Sequence, residues 1–439
     1  MDKTSPIRKG TCILTEKPFV FALKSRYRQE RCDFCFAEGK VLKCSNCSYV
    51  YYCNRLCQQE AWTTHKTECS HLRTIAPRTL PDAARILSRI ILKLNNGGEY
   101  EKGYYTSKCY RRFADLMTHY DKLKLDEKRL EHIECLTSVL TQLLGQKLLP
   151  SPTELIQIYG RMLVNAFNIL DQEMNSIGTG IYLGVSITDH NCTPNAVATF
   201  DGTTIFIRLI EDIPCLDWSK IFISYVDMLS TPDDRRTELQ KNYFFLCDCM
   251  RCLDPIESIE SNAAACPNSK CNEYLDLCRL IDACPKCNAP ITIEYAERFH
   301  EVVELTKTHL DKMKDIAYLD ICKVLLKHQH NVLHPLNVWH LKTLESAFES
   351  AINVGKWDEA IEYGNELLPG FTKYSGKLNP LVGLIHMKLG KILLHRDQRK
   401  EALHNLNKAS DIIKISHGQE HPLYQQHLIP LLVDASVSR

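Results

Sequence analysis

The spacing of soft ligands is the first chemistry visible in this chain. The segment CDFCFAEGKVLKCSNCSYVYYCNRLCQQEAWTTHKTEC offers Cys32, Cys35, Cys44, Cys47, Cys53, Cys57, His65 and Cys69. Two CxxC pairs, a CxxxC and an HxxxC supply eight ligands, and tetrahedral zinc takes four, so two closed structural sites fit without remainder. CxxC suits a tight turn, whereas CxxxC and HxxxC place both ligands on one helix face. A segment this short has no core of its own, so the metal must supply its stability. A second cluster, CDCMRC, offers Cys247, Cys249 and Cys252 and is one thiolate short of a closed site. The stretch SITDHNCTPNAVATF holds Cys192, more than twenty residues from any other cysteine. It is either an ordinary buried thiol or the missing fourth ligand, brought in by the fold. A third cluster, CPNSKCNEYLDLCRLIDACPKC, gives Cys266, Cys271, Cys284 and Cys287 the spacing of a zinc ribbon. Cys278 lies between them as a spectator or a substitute ligand. Cys12, Cys109, Cys135, Cys215 and Cys322 are scattered and read as ordinary buried residues.

The elements that must position these ligands are legible in outline. At 439 residues the chain is long enough for about three domains and a large core. A net charge of +1 gives no field that favours nucleic acid, membrane or an acidic substrate. The opening MDKTSPIRKG has no signal-peptide character, and no run of about 18 apolar residues occurs, so a soluble intracellular protein is expected. Twenty-one cysteines in a reducing compartment then indicate metal rather than disulfides. Residues 11–24 carry strand formers. Residues 82–94 show helical spacing behind Asp82 as a cap. Helical pattern continues through FADLMTHYDKL, LEHIECLTSVLTQLL and TELIQIYGRMLVNAFNIL. Residues 180–226 turn to short β-branched runs, with FDGTTIF as a hairpin. From 295 the chain is helical again, and GKWDEAIEYGNELL and DQRKEALHNLNKAS superpose with Ala360 on Ala402, 42 residues apart. This resembles a tetratricopeptide array, whose period is about 34 residues, with extended helices or loops, although a generic bundle fits the pattern as well.

The first cluster resembles the MYND zinc finger, in which ligand pairs interleave. That resemblance implies one ion on Cys32, Cys35, Cys53 and Cys57 and another on Cys44, Cys47, His65 and Cys69. Over most of its length the chain resembles the SET and MYND lysine methyltransferase family. The family's NHSCxPN marker stands here as DHNCTPN, Asp189 to Asn195, and its catalytic tyrosine strand as IFISYVDM with Tyr225. Its zinc triplet stands as CDCMRC behind NYFF, with Tyr243 and Phe245. The implied fold class is α+β: a β-rich SET core split by a MYND finger and a helical insert, post-SET zinc sites, and a C-terminal tetratricopeptide-like helical domain. The expected boundaries are 1–31 for the N-terminal part of the SET core, with an incomplete first strand, and 32–69 for the finger. The insert is expected at 70–179, the SET core at 180–246, the post-SET and ribbon segment at 247–292, and the helical domain at 293–439.

By the same resemblance Cys192 joins Cys247, Cys249 and Cys252, which makes about four zinc ions. S-adenosyl-L-methionine is the implied cofactor, held by His119, Asn165, Asp189, His190, Tyr225 and Phe245. Phe167 and Tyr243 would line the tunnel for the substrate lysine, and Tyr225 would be catalytic. Methyl transfer to an amine is an in-line displacement that needs a neutral amine, alignment and protection from water. An aromatic tunnel disfavours the ammonium form by desolvation. The chain departs from the family in three places: it shows no basic residue and Gly-x-Gly before the first strand, Asp189 replaces an asparagine, and CLDWSK replaces a Gly-Glu-Glu. An ionised Asp accepts hydrogen bonds but donates none. A weakened cofactor site is therefore expected, and the gene start is read as either natural or truncated. The expected partners are protein substrates, histone or non-histone, with proline-rich peptides at the finger, no membrane and a monomeric chain in cytoplasm and nucleus. DNA binding is the poorer reading, because the basic residues are few. The rival class is a non-catalytic adaptor that uses its finger and helical tail to bind other proteins.

Overall fold

A computed structural model describes residues 6–277, 279, 281–313 and 318–437. Cys278 lies outside the described residues. The chain divides into two compact units. The first comprises residues 1–189, 196–221 and 242–244; the second comprises 190–195, 222–241 and 245–439.

In the first unit, the strand formers ahead of the finger make two short strands, Cys12–Glu16 and Val20–Leu23. Each finds its partners far along the chain. Cys12–Glu16 pairs antiparallel with Thr204–Leu209, which pairs in turn with Ala196–Asp201. Val20–Leu23 pairs with Ser176–Ile181, which pairs with Ala166–Leu170. Strands on either side of the cysteine-rich segment and its following helices thus close two three-stranded sheets. The Ala196–Leu209 hairpin turns at Gly202, whose φ of 56° falls in the region that glycine reaches at no steric cost.

Several local readings are corrected. The helical pattern of residues 153–170 breaks at Asn165, where the helix Pro152–Asn165 gives way to the strand Ala166–Leu170. The sheet therefore begins inside the stretch assigned to a helical insert. The residues Ala166, Phe167, Asn168, Ile169 and Leu170 suit a pleated surface, and pairing with Ser176–Ile181 decides the matter. FADLMTHYDKL is not one helix: it holds a 3-10 turn, Phe113–Asp115, and a single helical turn, Tyr120–Leu123. His119 between them has φ 49°, which no continuous helix permits. Asp82 does not cap its own helix. Pro81 occupies that position, and Asp82 Oδ1 accepts from the Ser25 backbone at 2.8 Å. IFISYV shortens to the two-residue strand Phe222–Ile223. Among the scattered thiols only Cys322 is buried; Cys12 and Cys215 are half-buried, and Cys109 and Cys135 are exposed.

The second unit is helical from Ile293 onward. Helices Val338–Asn353 and Trp357–Ser375 form one hairpin, and Pro380–His395 and Arg399–Ser416 form the next. The 42-residue period recurs in their caps. Asn337 and Asn379 each cap the first helix of a pair through the side chain. Gly355 and Asp397 each take positive φ at the turn. Ala360 and Ala402 are fully buried, which lets the paired helices approach closely. No described helix is long and apolar enough to cross a membrane.

Gly160 fixes the loop around His119. A Cβ there would overlap the Thr118 carbonyl and Leu123, so only glycine lets that loop lie on the helix Pro152–Asn165. Gly160→Ala should therefore cost about 1–3 kcal/mol through overpacking. The midpoint of chemical denaturation should fall accordingly, and an unchanged midpoint would show that the loop does not rest there.

Candidate functional site

Four groups of thiols and imidazole converge. They are Cys32, Cys35, Cys53 and Cys57; Cys44, Cys47, His65 and Cys69; Cys192, Cys247, Cys249 and Cys252; and Cys266, Cys271, Cys284 and Cys287. Within each group all ligand atoms lie within 4.8 Å of one another. The Cys35–Cys53 sulfurs are 3.8 Å apart, Cys192–Cys247 4.0 Å, Cys192–Cys252 3.4 Å and Cys271–Cys284 3.9 Å. A disulfide would require about 2 Å. Four sulfurs about 2.3 Å from a central zinc stand about 3.8 Å apart, so the donor sets fit zinc in both chemistry and spacing.

The finger's ligands are placed by a loop and one helix. Asn54 Oδ1 caps the helix Arg55–Ile75 by accepting from the Cys57 backbone at 2.8 Å. Cys53 therefore precedes the helix, and CxxxC straddles its start instead of lying on one face. His65 and Cys69, four residues apart, do share a face of it. Glu68 Oε1 lies 3.0 Å from His65 Nδ1, which fixes the proton there and leaves Nε2 for the metal.

Behind the finger lies a buried ionic cluster that the sequence did not announce. Arg85 grips Asp33 with two bonds, at 2.7 and 2.9 Å. Arg89 reaches Asp33 at 2.8 Å and Glu68 at 2.6 Å, and donates to the Phe21 carbonyl on the strand Val20–Leu23. Burial alone would raise the Glu68 carboxyl, but Arg89 and Arg85 hold it well below the usual carboxylate range. Asp33 sits between two zinc ligands and Glu68 beside a third, so the helix Asp82–Asn95 ties both finger sites to the sheet.

The third zinc group explains the residues of DHNCTPN. Within the second unit the turn His190–Asn195 is stitched to Phe222–Tyr225 by three bonds. Asn195 Oδ1 accepts from the Phe222 backbone at 2.9 Å, and the Asn191 backbone donates to the Ile223 carbonyl at 3.1 Å. The Tyr225 backbone donates to His190 Nδ1 at 3.0 Å. His190 Nε2 lies 3.2 Å from Cys192 Sγ. Burial and the Arg235 charge push the imidazole down to about 4, so the ring is neutral. The His190 ring also packs at 5.4 Å from Tyr225 and 6.1 Å from Phe245.

Arg235 is a further functional residue that the sequence hid. Its side chain is fully buried, donating to the Ser230 carbonyl at 2.7 Å and to Glu257 at 2.9 Å. Its Nη2 lies 3.9 Å from Cys252 Sγ. Four thiolates around Zn²⁺ leave a net charge of −2, which a buried guanidinium offsets. Arg251 closes the group, bonding Glu257 and, at 2.9 Å, the Cys192 carbonyl. Arg235 lies in DDRRTELQ, a charged stretch of a kind that normally faces water.

The remaining expected residues fall within the first unit, apart from those above. Asn165 donates both amide hydrogens, to Met117 and Arg161 carbonyls at 2.9 Å each. Its Oδ1 remains an acceptor suited to an ammonium group. His119 packs its ring 4.9 Å from Phe244, and burial with the Lys122 charge lowers its affinity for a proton. Phe244, a residue the sequence did not single out, has φ 63° and receives Lys122 Nζ on its carbonyl at 2.6 Å. Phe167 packs edge-on against Tyr182 at 5.8 Å. Tyr243 ends the helix Pro232–Tyr243 and is half-buried, and Asp189 is exposed.

Residues 32–69 match the MYND finger family. Similarity to known proteins extends over nearly the whole chain. Histone-lysine N-methyltransferase SMYD3 of Homo sapiens is 29% identical over 433 residues, covering 97% of this chain and 93% of that protein. Histone-lysine N-methyltransferase ASHR1 of Arabidopsis thaliana is 28% identical, covering 95% of this chain and 89% of its own length. N-lysine methyltransferase SMYD2 of Homo sapiens is 26% identical, covering 95% and 92%.

The purified chain should hold about four zinc ions, and Cys192→Ser should hold one fewer. Elemental analysis that finds full zinc in this variant would return Cys192 to the class of inert buried thiols.

Proposed function

We propose that the chain, similar over nearly its whole length to SET and MYND lysine methyltransferases, methylates lysine side chains of histone or non-histone proteins. The observation that carries the reading is the binding of the Tyr225 backbone to His190, beside the closed zinc group of Cys192. S-adenosyl-L-methionine supplies an activated methyl group on its sulfonium when bound.

Each residue of the chain has a task in this reading. Asn165 offers Oδ1 to the cofactor's ammonium end. Both ring nitrogens of His190 are engaged, so its main chain, not its ring, meets the cofactor. His119, neutral and packed on Phe244, offers a flat face for a heterocycle. Phe245 does the same beside His190. Asp189 supplies negative charge where a positively charged group must be held. Phe167 and Tyr243 exclude water around the lysine, which favours its neutral, nucleophilic form. The Tyr225 hydroxyl orients that amine.

The finger exposes Leu42, Leu56 and Trp62, and we assign this surface to proline-rich peptides of partner proteins, which dock on aromatic and apolar faces. Cytoplasm and nucleus are the compartments that such substrates imply.

Tyr225→Phe should lower methyl transfer about a hundredfold or more while leaving cofactor affinity nearly intact. The change removes one hydroxyl and little volume. Mass spectrometry of lysine methylation in a histone and cell-protein mixture checks this, and a variant as active as the parent would make Tyr225 a core residue.

A further inference from the structure

We propose that the His190 imidazole is a positioning residue for Tyr225, coupling the tyrosine's backbone to the zinc-binding sulfur of Cys192. The inference rests on the methyltransferase reading and assigns the ring a task separate from cofactor contact.

The direction of each bond follows from chemistry. A backbone N–H can only donate, so His190 Nδ1, 3.0 Å from the Tyr225 nitrogen, carries no proton. A neutral imidazole has one proton, and it must then sit on Nε2, directed at Cys192 Sγ 3.2 Å away. A zinc-bound thiolate is a strong, charged acceptor, whereas a protonated thiol is a weak one. A metal on the Cys192 group would therefore strengthen the Nε2 bond and hold the ring where Nδ1 accepts from Tyr225. Without the thiolate the Nε2 side of the ring loses its charged acceptor, and the imidazole is held less firmly beneath Tyr225.

Neighbouring bonds let the turn survive a change at this ring. Asn195 still accepts from Phe222, Asn191 still donates to Ile223, and Arg251 still holds the Cys192 carbonyl. The bond to the Tyr225 backbone is made by the imidazole itself. A change at His190 should accordingly move kcat more than it moves fold or cofactor affinity.

Two substitutions separate the ring's two ends. His190→Asn places an acceptor near the Nδ1 position and loses the donor to sulfur. His190→Gln places an amide donor near the Nε2 position and loses the acceptor for Tyr225. The His190→Gln protein should keep its zinc and its KM for S-adenosylmethionine while kcat falls about 10–100-fold. The His190→Asn protein should lose less kcat but release one zinc faster to a colorimetric chelator. Nitrogen-15 NMR of the zinc-loaded parent should show a proton on Nε2 and none on Nδ1. A proton on Nδ1, or a His190→Gln kcat equal to the parent's, would overturn the proposal. The tautomer and zinc-release measurements need no turnover, so they judge the relay even if the parent transfers no methyl group.

Discussion

Closing a zinc ion with four thiolates is the constraint on which the second unit's chemistry depends. Cys192 comes from a six-residue turn and Cys247, Cys249 and Cys252 from a segment more than fifty residues later, so without metal little holds them together. Such an all-sulfur site is dianionic, and it tolerates burial only because Arg235 stands beside it and Glu257 and Arg251 balance that arginine in turn. The same turn carries His190 and Asn195, whose side chains take the backbone donors of Tyr225 and Phe222. The Cys192 sulfur, the turn and the segment Phe222–Tyr225 are joined by hydrogen bonds into one object.

A parallel arrangement governs the first unit. Buried Asp33, Glu68, Arg85 and Arg89 would be costly if any were left unpaired, and each has at least two partners. Because Asp33 and Glu68 neighbour zinc ligands and Arg89 reaches the Phe21 carbonyl, loss of the finger's metal would also expose buried charge. The aromatic ring of Phe36, from the loop between Cys35 and Cys44, packs where a Cβ on Gly178 would sit, so finger and sheet interlock sterically as well. The finger is thus part of this unit's core rather than an appendage.

Much of this was legible in the sequence where the governing rule is local or additive. Ligand spacing exposed the finger and ribbon, because a tetrahedral ion needs four donors and the chain presents them in pairs. The 42-residue offset of Ala360 and Ala402 marked the repeat, and the caps Asn337 and Asn379 follow it. The misreadings arise where a distant partner overrides local pattern. Residues 166–170 continue a helical periodicity until the strand Ser176–Ile181 claims them. Asp82 looks like a cap, but the Ser25 backbone competes for its carboxylate. Arg235 and Glu68 carry no sequence signal, since a charged residue on a helix normally faces water. The tertiary fold alone reveals that these are buried beside metal ligands.

Binding of S-adenosyl-L-methionine through a zinc-ordered site is tested most directly by calorimetric titration of that cofactor into the zinc-loaded protein. Saturable binding at one cofactor per chain, lost when the Cys192 group cannot hold its ion, is the predicted result. Absence of binding to the folded, fully metallated chain, or binding indifferent to that ion, would contradict it.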